Sequence, residues 1–243
     1  NWHPKLLNWE ADQTVKEKGW ATSGNNPSPA TFEVSWKAVQ AGTLITTPGN
    51  YKLLPGQELT LPVTKKLLKK FPLIFSKFHQ QYAGKSAVEV SAEKSVQHIA
   101  KEGSQLTSFY LKGHERRAEL LHNWTASFLD FMQTRYGLKS PWESIRIVAV
   151  EADYEQVDVV NNLVLVPLPN YQRAELMDRQ ALGFLTRRLA QLWFGESVWS
   201  NEDTQQWLNL GLPAFMGLRY FQYKFGPDAG IFDAFDWLNP RYR

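Results

Sequence analysis

The most chemically suggestive spacing in the chain lies in the stretch RRLAQLWFGESV, residues 187–198, which is followed by WLNLGLPAFM at residues 207–216. Arg187 and Gln191 are four positions apart, so a helix places them on one face, one turn from each other. Two ligands of one metal ion are commonly held on a helix at this spacing. However, arginine is cationic and repels a divalent ion, and glutamine binds zinc poorly. The stretch therefore offers no good zinc ligand at these two positions.

Other routes to catalysis have little support in the sequence. The chain has no cysteine, which excludes disulfides, thiolate catalysis and cysteine zinc sites. It contains no G-x-S-x-G motif, so the nucleophile elbow of a serine hydrolase is not indicated. It also contains no P-loop or G-x-G-x-x-G motif, so a nucleotide-binding site is not indicated. The histidines lie outside the two stretches, at His3, His79, His98, His114 and His122. The acids between the stretches are predicted to cap the second helix and stabilise its dipole: Glu196, Glu202 and Asp203.

Composition bounds the class of protein. The 243 residues are 43% hydrophobic and 14% aromatic, which is enough for a folded core. A net charge of +3 is too small for a typical nucleic-acid binder, and the run KKLLKK at 65–70 suggests an amphipathic helix with a solvated lysine face. No apolar run approaches the roughly 20 residues that span a bilayer. The abrupt start on NWHPK suggests a fragment of a larger protein, so the compartment stays open.

The chain is predicted to be α+β, with an antiparallel β-rich part over residues 1–100 and a mixed part over 101–243. In the first part, TFEVSWKAV alternates apolar and polar residues, and residues 41–57 follow a strand, turn, strand, turn pattern. A further short strand is expected near 88–90. In the second part, we expect helical spacing from about 103 to Gly137, strands at 144–151 and 162–169, and helices at about 174–194 and from 201–203 to 224.

Both stretches resemble the site helices of the zinc aminopeptidases related to aminopeptidase N. RRLAQLWFG resembles that family's HELAHQWFG, and WLNLGLPAFM resembles its WLNEGFA. Counting 19 positions on from Gln191 reaches Leu210, so the gluzincin spacing from the second histidine to the third ligand, a glutamate, is kept. Upstream, SIRIVAVE and VDVVNNLVLVP resemble the strands around the family's GAMEN motif. NWHP and the strand pair around Thr47 resemble the second half of its N-terminal β-domain.

The resemblance implies a thermolysin-like second part in which every site position has changed. Arg187, Gln191 and Leu210 replace the zinc ligands, Arg188 replaces the general base, and Val160 replaces the glutamate that binds the substrate amine. It implies no catalytic residue, no metal and no cofactor. The expected function is an inactive domain that binds or scaffolds a protein or peptide partner. A divergent metal-dependent peptidase or hydrolase with a non-standard site is the alternative.

The resemblance also suggests a setting, because related domains are attached to membrane transport proteins. An extracytoplasmic or membrane-tethered location is favoured, with a tether through sequence outside this chain. Nucleic acid is not expected as a partner.

Two structural expectations follow from the helices. Trp193 and Trp207 should be largely buried, because both have apolar neighbours three and four positions away. Arg187 should pair with an acid on the upstream strand and loop, with Glu151, Asp153 and Glu155 as candidates, since an unpaired buried cation is costly. The rival hypothesis is that Arg187 stays exposed for an anionic partner such as a peptide carboxylate or phosphate.

Overall fold

The computed structural model describes residues 31–46, 49–61, 63–64, 68, 70–76, 79–82, 105–150, 157–175, 179–198 and 207–228. It divides the chain into two compact units, Asn1–His79 and Gln80–Arg243. Antiparallel sheets, a mixed sheet and helices are all present, so the coarse α+β class is confirmed. The boundary expected near residue 100 and the strand expected at 88–90 lie outside the described residues and stay predictions.

In the first unit, short strands pair antiparallel in two small sheets. Strand β1 (Val34–Lys37) pairs with β4 (Glu58–Leu61), while β2 (Gly42–Thr46) pairs with both β3 (Gly49–Leu53) and β5 (Leu73–Ser76). The alternation predicted for TFEVSWKAV is confirmed, since Phe32 is buried and Glu33, Ser35 and Lys37 are exposed. The β1–β4 sheet therefore has one face toward a core and one toward solvent, whereas β2, the middle strand of the other sheet, buries the consecutive residues Leu44, Ile45 and Thr46 and so is covered on both faces.

The core of this unit is built from apolar side chains of the strands and of the segment that follows β4, among them Leu44, Ile45, Leu61, Leu68 and Phe71. The helix predicted from KKLLKK is wrong where the structure describes it. Leu68 is a buried, isolated β-bridge residue, and Lys70 lies in irregular chain. Burial of the Leu68 side chain outweighs the weak helical preference of the short run.

The second unit is organised by a five-stranded sheet in the order β6-β7-β8-β10-β9. The strands are β6 (His79–Tyr82), β7 (Gln105–Leu111), β8 (Ser144–Val150), β9 (Asp158–Val160) and β10 (Leu163–Pro167). Strand β8 runs parallel to β7 and β10, and β9 pairs antiparallel with β10 at one edge. The near-continuous apolar runs of β8 and β10 suit strands buried on both faces, which confirms the two strands predicted there.

Strand β7 departs from the helix predicted from about residue 103. The segment is rich in β-branched and aromatic residues, including Thr107, Phe109 and Tyr110, and it pairs with the central strand β8. Gly113, with φ +88°, ends the strand at a turn that a residue with a Cβ would not readily adopt. The helical periodicity belongs to the chain after this turn.

Helix α1 (Glu115–Tyr136) connects the parallel strands β7 and β8. It buries one apolar face, including Leu121, Phe128 and Met132, in the core of the unit. It ends as predicted at Gly137, whose φ of 67° is left-handed and whose N–H bonds to the carbonyl of Gln133.

The expected helix at 174–194 is two helices in the structure, α2 (Leu168–Glu175) and α3 (Arg179–Ala190). After Ala190 the chain tightens into turns, where the N–H of Gln191 bonds to the carbonyl of Arg188. A π-helical turn, Trp207–Gly211, leads into α4 (Leu212–Phe225), which ends close to the predicted residue 224. Within the described residues, no helix has the length and apolarity needed to cross a bilayer.

Candidate functional site

The two site-like helices meet at a very close crossing. Gly217 of α4 lies against the backbone of α3, so a Cβ at this position would be 3.1 Å from the nitrogen of Arg187 and 3.3 Å from its Cα. The Thr186 hydroxyl would be 3.4 Å away. The absence of a side chain at Gly217 is therefore what lets the two helix backbones approach at Arg187.

A chain of hydrogen bonds joins the end of α3 to the π-helical turn. Arg188 Nη1 donates to Gln191 Oε1 at 3.2 Å, and Gln191 Nε2 donates to the carbonyl of Asn209 at 3.3 Å. Both ends of the Gln191 amide are thus used, and all of these groups are at least partly buried. The contact from the second stretch comes from the Asn209 backbone, while its neighbour Leu210 is 43% exposed.

Arg188 is half-buried, and burial lowers the pKa of its guanidinium. The carboxylate of Asp158 on β9 opposes this effect, and the neighbouring Arg187 adds to it. The cation is stabilised from two sides, by the Gln191 oxygen and by the negative charge on β9. The role of Asp158 is not predictable from the sequence, because nothing in the spacing shows that β9 lies beside α3.

The predicted site positions come from three elements that the fold brings together. Arg187 and Arg188 lie in the last turn of α3, Gln191 follows directly, and Leu210 lies in the π-helical turn. Val160 is buried at the end of β9, on the same face of that strand as Asp158 because the two are two positions apart. Strand β9 packs against α3.

The charge partner of Arg187 remains a prediction. Glu151, Asp153 and Glu155 lie outside the described residues, so none of the three candidate pairs is tested. Arg187 itself is half-buried, and within the described ranges the structure gives no carboxylate paired with it. The guanidinium lies at the C-terminal end of α3, where the helix dipole favours positive charge.

The two tryptophans of the stretches have opposite environments. Trp193 is 6% exposed, its Nε1 donates to the Lys139 carbonyl at 2.7 Å, and its ring meets Phe128 edge to face, so its predicted burial is confirmed. Trp207 is 64% exposed, so the same prediction is wrong there. Trp207 lies in the π-helical turn Trp207–Gly211, none of whose five residues is buried.

Glu196 has a different role from the helix cap that we expected. Its Oε2 accepts a hydrogen bond of 2.7 Å from the backbone N–H of Asn161. Asn161 has a φ of +56° in the turn between β9 and β10, a left-handed conformation that asparagine tolerates better than most residues. The carboxylate thus ties the turns after α3 to the strand that carries Val160.

His114 and His122, which lie at the start of α1 and within it, do not form a pair. His114 occupies the N-cap position of α1 without a side-chain capping bond, and its Nδ1 lies 3.0 Å from Arg117 Nη1. His122 is buried, with Nδ1 3.1 Å from the Ser108 hydroxyl. Burial lowers the pKa of His122 to about 4, so its imidazole is neutral at pH 7. Over the described residues, no group of three or more His, Cys, Asp or Glu side chains is placed to hold a metal ion.

Comparison of the chain with protein-family models gives no match, and comparison with curated proteins gives none either. The assignment of function therefore depends on the residues and their geometry.

Proposed function

We propose that residues 101–243 form a thermolysin-like domain of the aminopeptidase N type that has lost its zinc site. The chain acts as a binding or scaffolding module for a protein or peptide partner and does not hydrolyse peptides. It belongs to a larger protein, which supplies the extracytoplasmic or membrane-tethered setting.

One observation carries this proposal: the use of Gln191, at the position of the second zinc ligand, as a structural link. Its oxygen accepts from Arg188 and its nitrogen donates to the Asn209 carbonyl. The amide oxygen is the one atom among the side chains at 187, 188, 191 and 210 that could coordinate a metal, and a guanidinium already occupies it. The remaining positions offer two cations and a hydrocarbon.

These residues do not fit a zinc ion. A divalent cation beside two guanidinium groups would meet strong repulsion in a partly buried setting, where charges are poorly screened. Zinc also needs neutral imidazoles, carboxylates or thiolates as ligands, and none of these stands at the four positions. With no glutamate at 188, the general base of the resembling family is missing as well.

The arrangement of elements also supports the proposal. Strand β9, with Val160, lies at the sheet edge against α3, and α4 crosses α3 at Gly217. A strand edge and two crossing helices are thus grouped around the positions that the resemblance assigns to amine and metal binding.

The proposal is tested by metal content and activity of the purified chain. We expect sub-stoichiometric zinc by elemental analysis and no hydrolysis of alanine, leucine or arginine p-nitroanilides with added zinc, cobalt or manganese. Stoichiometric zinc together with hydrolysis would overturn the loss of catalysis.

Ancestry is tested separately by restoring the ligands in Arg187→His, Arg188→Glu, Gln191→His and Leu210→Glu combined. We expect this variant to take up one zinc ion in a competition titration with a chromogenic chelator. The matched control keeps the first two changes but carries Gln191→Ala and Leu210→Ala, which leaves one histidine at the ligand positions. Equal zinc uptake by both folded variants would refute the proposed ligand geometry.

A further inference from the structure

Side chains from the end of α1 and from α4 form a connected surface of two tyrosines and two arginines. Arg135 lies over the ring of Tyr223, with its Cζ 4.8 Å from the ring centroid. Arg219 Nε donates to the Tyr136 hydroxyl at 3.4 Å. The buried Phe131 contacts both tyrosine rings, with centroid distances of 5.5 Å to Tyr136 and 5.2 Å to Tyr223. We call the four exposed residues the tyrosine-arginine patch: Arg135, Tyr136, Arg219 and Tyr223.

The two stretches that carry the tyrosine-arginine patch contain cations and no acid. Residues 131–142 contain two cations, residues 207–227 contain two more, and neither stretch has an aspartate or a glutamate. Within the part of the chain that the structure describes, Arg135 and Arg219 contact a ring, a hydroxyl and the Gln222 amide, all of which are uncharged. The positive charge of the patch is therefore not neutralised by these contacts, and the surface is complementary to an anionic partner.

The side chains of the patch are ordered by contacts with one another and with the core. Phe131 supports both rings from below, and Arg219 Nη1 also donates to Gln222 Oε1 at 2.8 Å. Groups that are already ordered lose less rotamer freedom when a partner binds. Tyrosine and arginine are also among the residue types that carry most of the binding energy at protein interfaces.

The chemistry of the patch favours a peptide with carboxylates. An arginine guanidinium presents a planar fork of donors that matches the two oxygens of a carboxylate. The Tyr136 and Tyr223 rings offer apolar contact area with a polar tip, which suits a large apolar side chain that lies among acids. An anionic membrane fits less well, because hydrocarbon cannot satisfy the hydrogen-bond donors that stand beside the rings.

We propose that the tyrosine-arginine patch binds an acidic peptide segment of a partner protein. A large apolar side chain of this segment packs on the Tyr136 and Tyr223 rings, and carboxylates on either side of it pair with Arg135 and Arg219. The proposal rests on the proposed function in taking a peptide as the partner. It uses none of the positions 187, 188, 191 and 210, so it is independent of the lost zinc site.

Fluorescence anisotropy with the complete chain tests the proposal. The probe is a fluorescein-labelled peptide in which a Leu-Phe pair is flanked on both sides by glutamates, and glutamines replace the glutamates in the control peptide. The patch variant is Arg135→Gln with Arg219→Gln. The matched variant, Lys112→Gln with Arg116→Gln, removes the same charge from exposed positions at the other end of α1. Urea unfolding at the midpoint of the parent shows that each variant is folded.

We expect the parent to bind the glutamate peptide at about 150 mM salt, where charges more than about 8 Å apart are largely screened. The patch variant should bind it about three- to tenfold more weakly, as the loss of two partly exposed ion pairs predicts, and the matched variant should bind like the parent. Tyr136→Ala with Tyr223→Ala should weaken binding of this peptide but not of one in which glycines replace the Leu-Phe pair.

Three results would overturn the proposal: no binding by the parent, equal weakening in the patch and matched variants, or equal binding of the glutamine peptide. Co-sedimentation of the parent with phosphatidylserine vesicles, without binding of the peptide, would instead assign the patch to a membrane surface. Hydrolysis of the probe by the parent would contradict the proposed function alone, because the comparison of variants measures binding at the patch separately.

Discussion

The buried imidazole of His122 makes the stability of the second unit depend on pH. Burial holds the pKa of His122 at about 4 in the folded chain, against an ordinary value of 6.5. Between these values the unfolded chain binds a proton that the folded chain does not, so stability is complete above pH 6.5 and falls as the pH falls toward 4. A difference of about 2.5 pKa units corresponds to about 3 kcal/mol in total and to about 2 kcal/mol between pH 7 and pH 5.

Urea unfolding followed by tryptophan fluorescence at pH 7 and pH 5 measures this loss. Carboxylates with ordinary pKa values titrate over part of the same range, so the comparison is made with His122→Gln, which cannot take up the proton. We expect the parent to lose about 2 kcal/mol more than the variant between the two pH values. An equal loss in both proteins, or an NMR titration of His122 in the folded chain near pH 6.5, would refute the reasoning.

Three further predictions concern packing and helix ends. Gly217→Val should destabilise the chain by about 1–3 kcal/mol through overpacking against Arg187. Gly211→Val, at a helical position where a Cβ would lie 3.8 Å from Trp207 Cβ, should change the free energy of unfolding far less; equal effects would contradict the close crossing. Tyr220→Phe removes the 2.9 Å hydrogen bond to the Ser127 hydroxyl and should cost about 1 kcal/mol in urea unfolding, with the double variant Tyr220→Phe/Ser127→Ala costing little more. Gly137→Ala places a Cβ at a φ of 67° and should lower stability by about 1 kcal/mol; a neutral result would argue against the left-handed cap.

The sequence predicts best those elements whose pattern follows from burial alone. Strands β8 and β10 are apolar along their length because both of their faces are covered, and α1 shows its period over six turns before Gly137. Strand β7 is mispredicted although Gly113 and the charged run KGHERR, residues 112–117, separate its seven residues from α1. Its strand state depends on pairing with β8, which is more than 30 residues away.

Long-range contacts account for the other differences between the sequence-based predictions and the structure. Glu196 bonds to Asn161, 35 positions earlier in the chain, so nothing local distinguishes it from a helix-capping acid. The role of Gly217 depends on the distance between two helix backbones, which no residue spacing reveals. The exposure of Trp207 depends on which side of α4 packs against α3. The sequence of this stretch is apolar on most sides of the helix, so it does not specify that side.

At the end of α3 the Arg188 cation lies in a partly buried position, where it is stabilised by neutral and acidic groups, and two other elements contribute to the network. Arg188 receives the oxygen of Gln191 and the field of Asp158, while the Gln191 nitrogen is satisfied by the Asn209 carbonyl. Removing one partner from such a network leaves the others unsatisfied, which costs more than the bond itself contributes. On the proposed function, arginine and glutamine have replaced the zinc ligands and now hold α3 to the turn at Asn209. A return to metal binding therefore requires changes at all of these positions together.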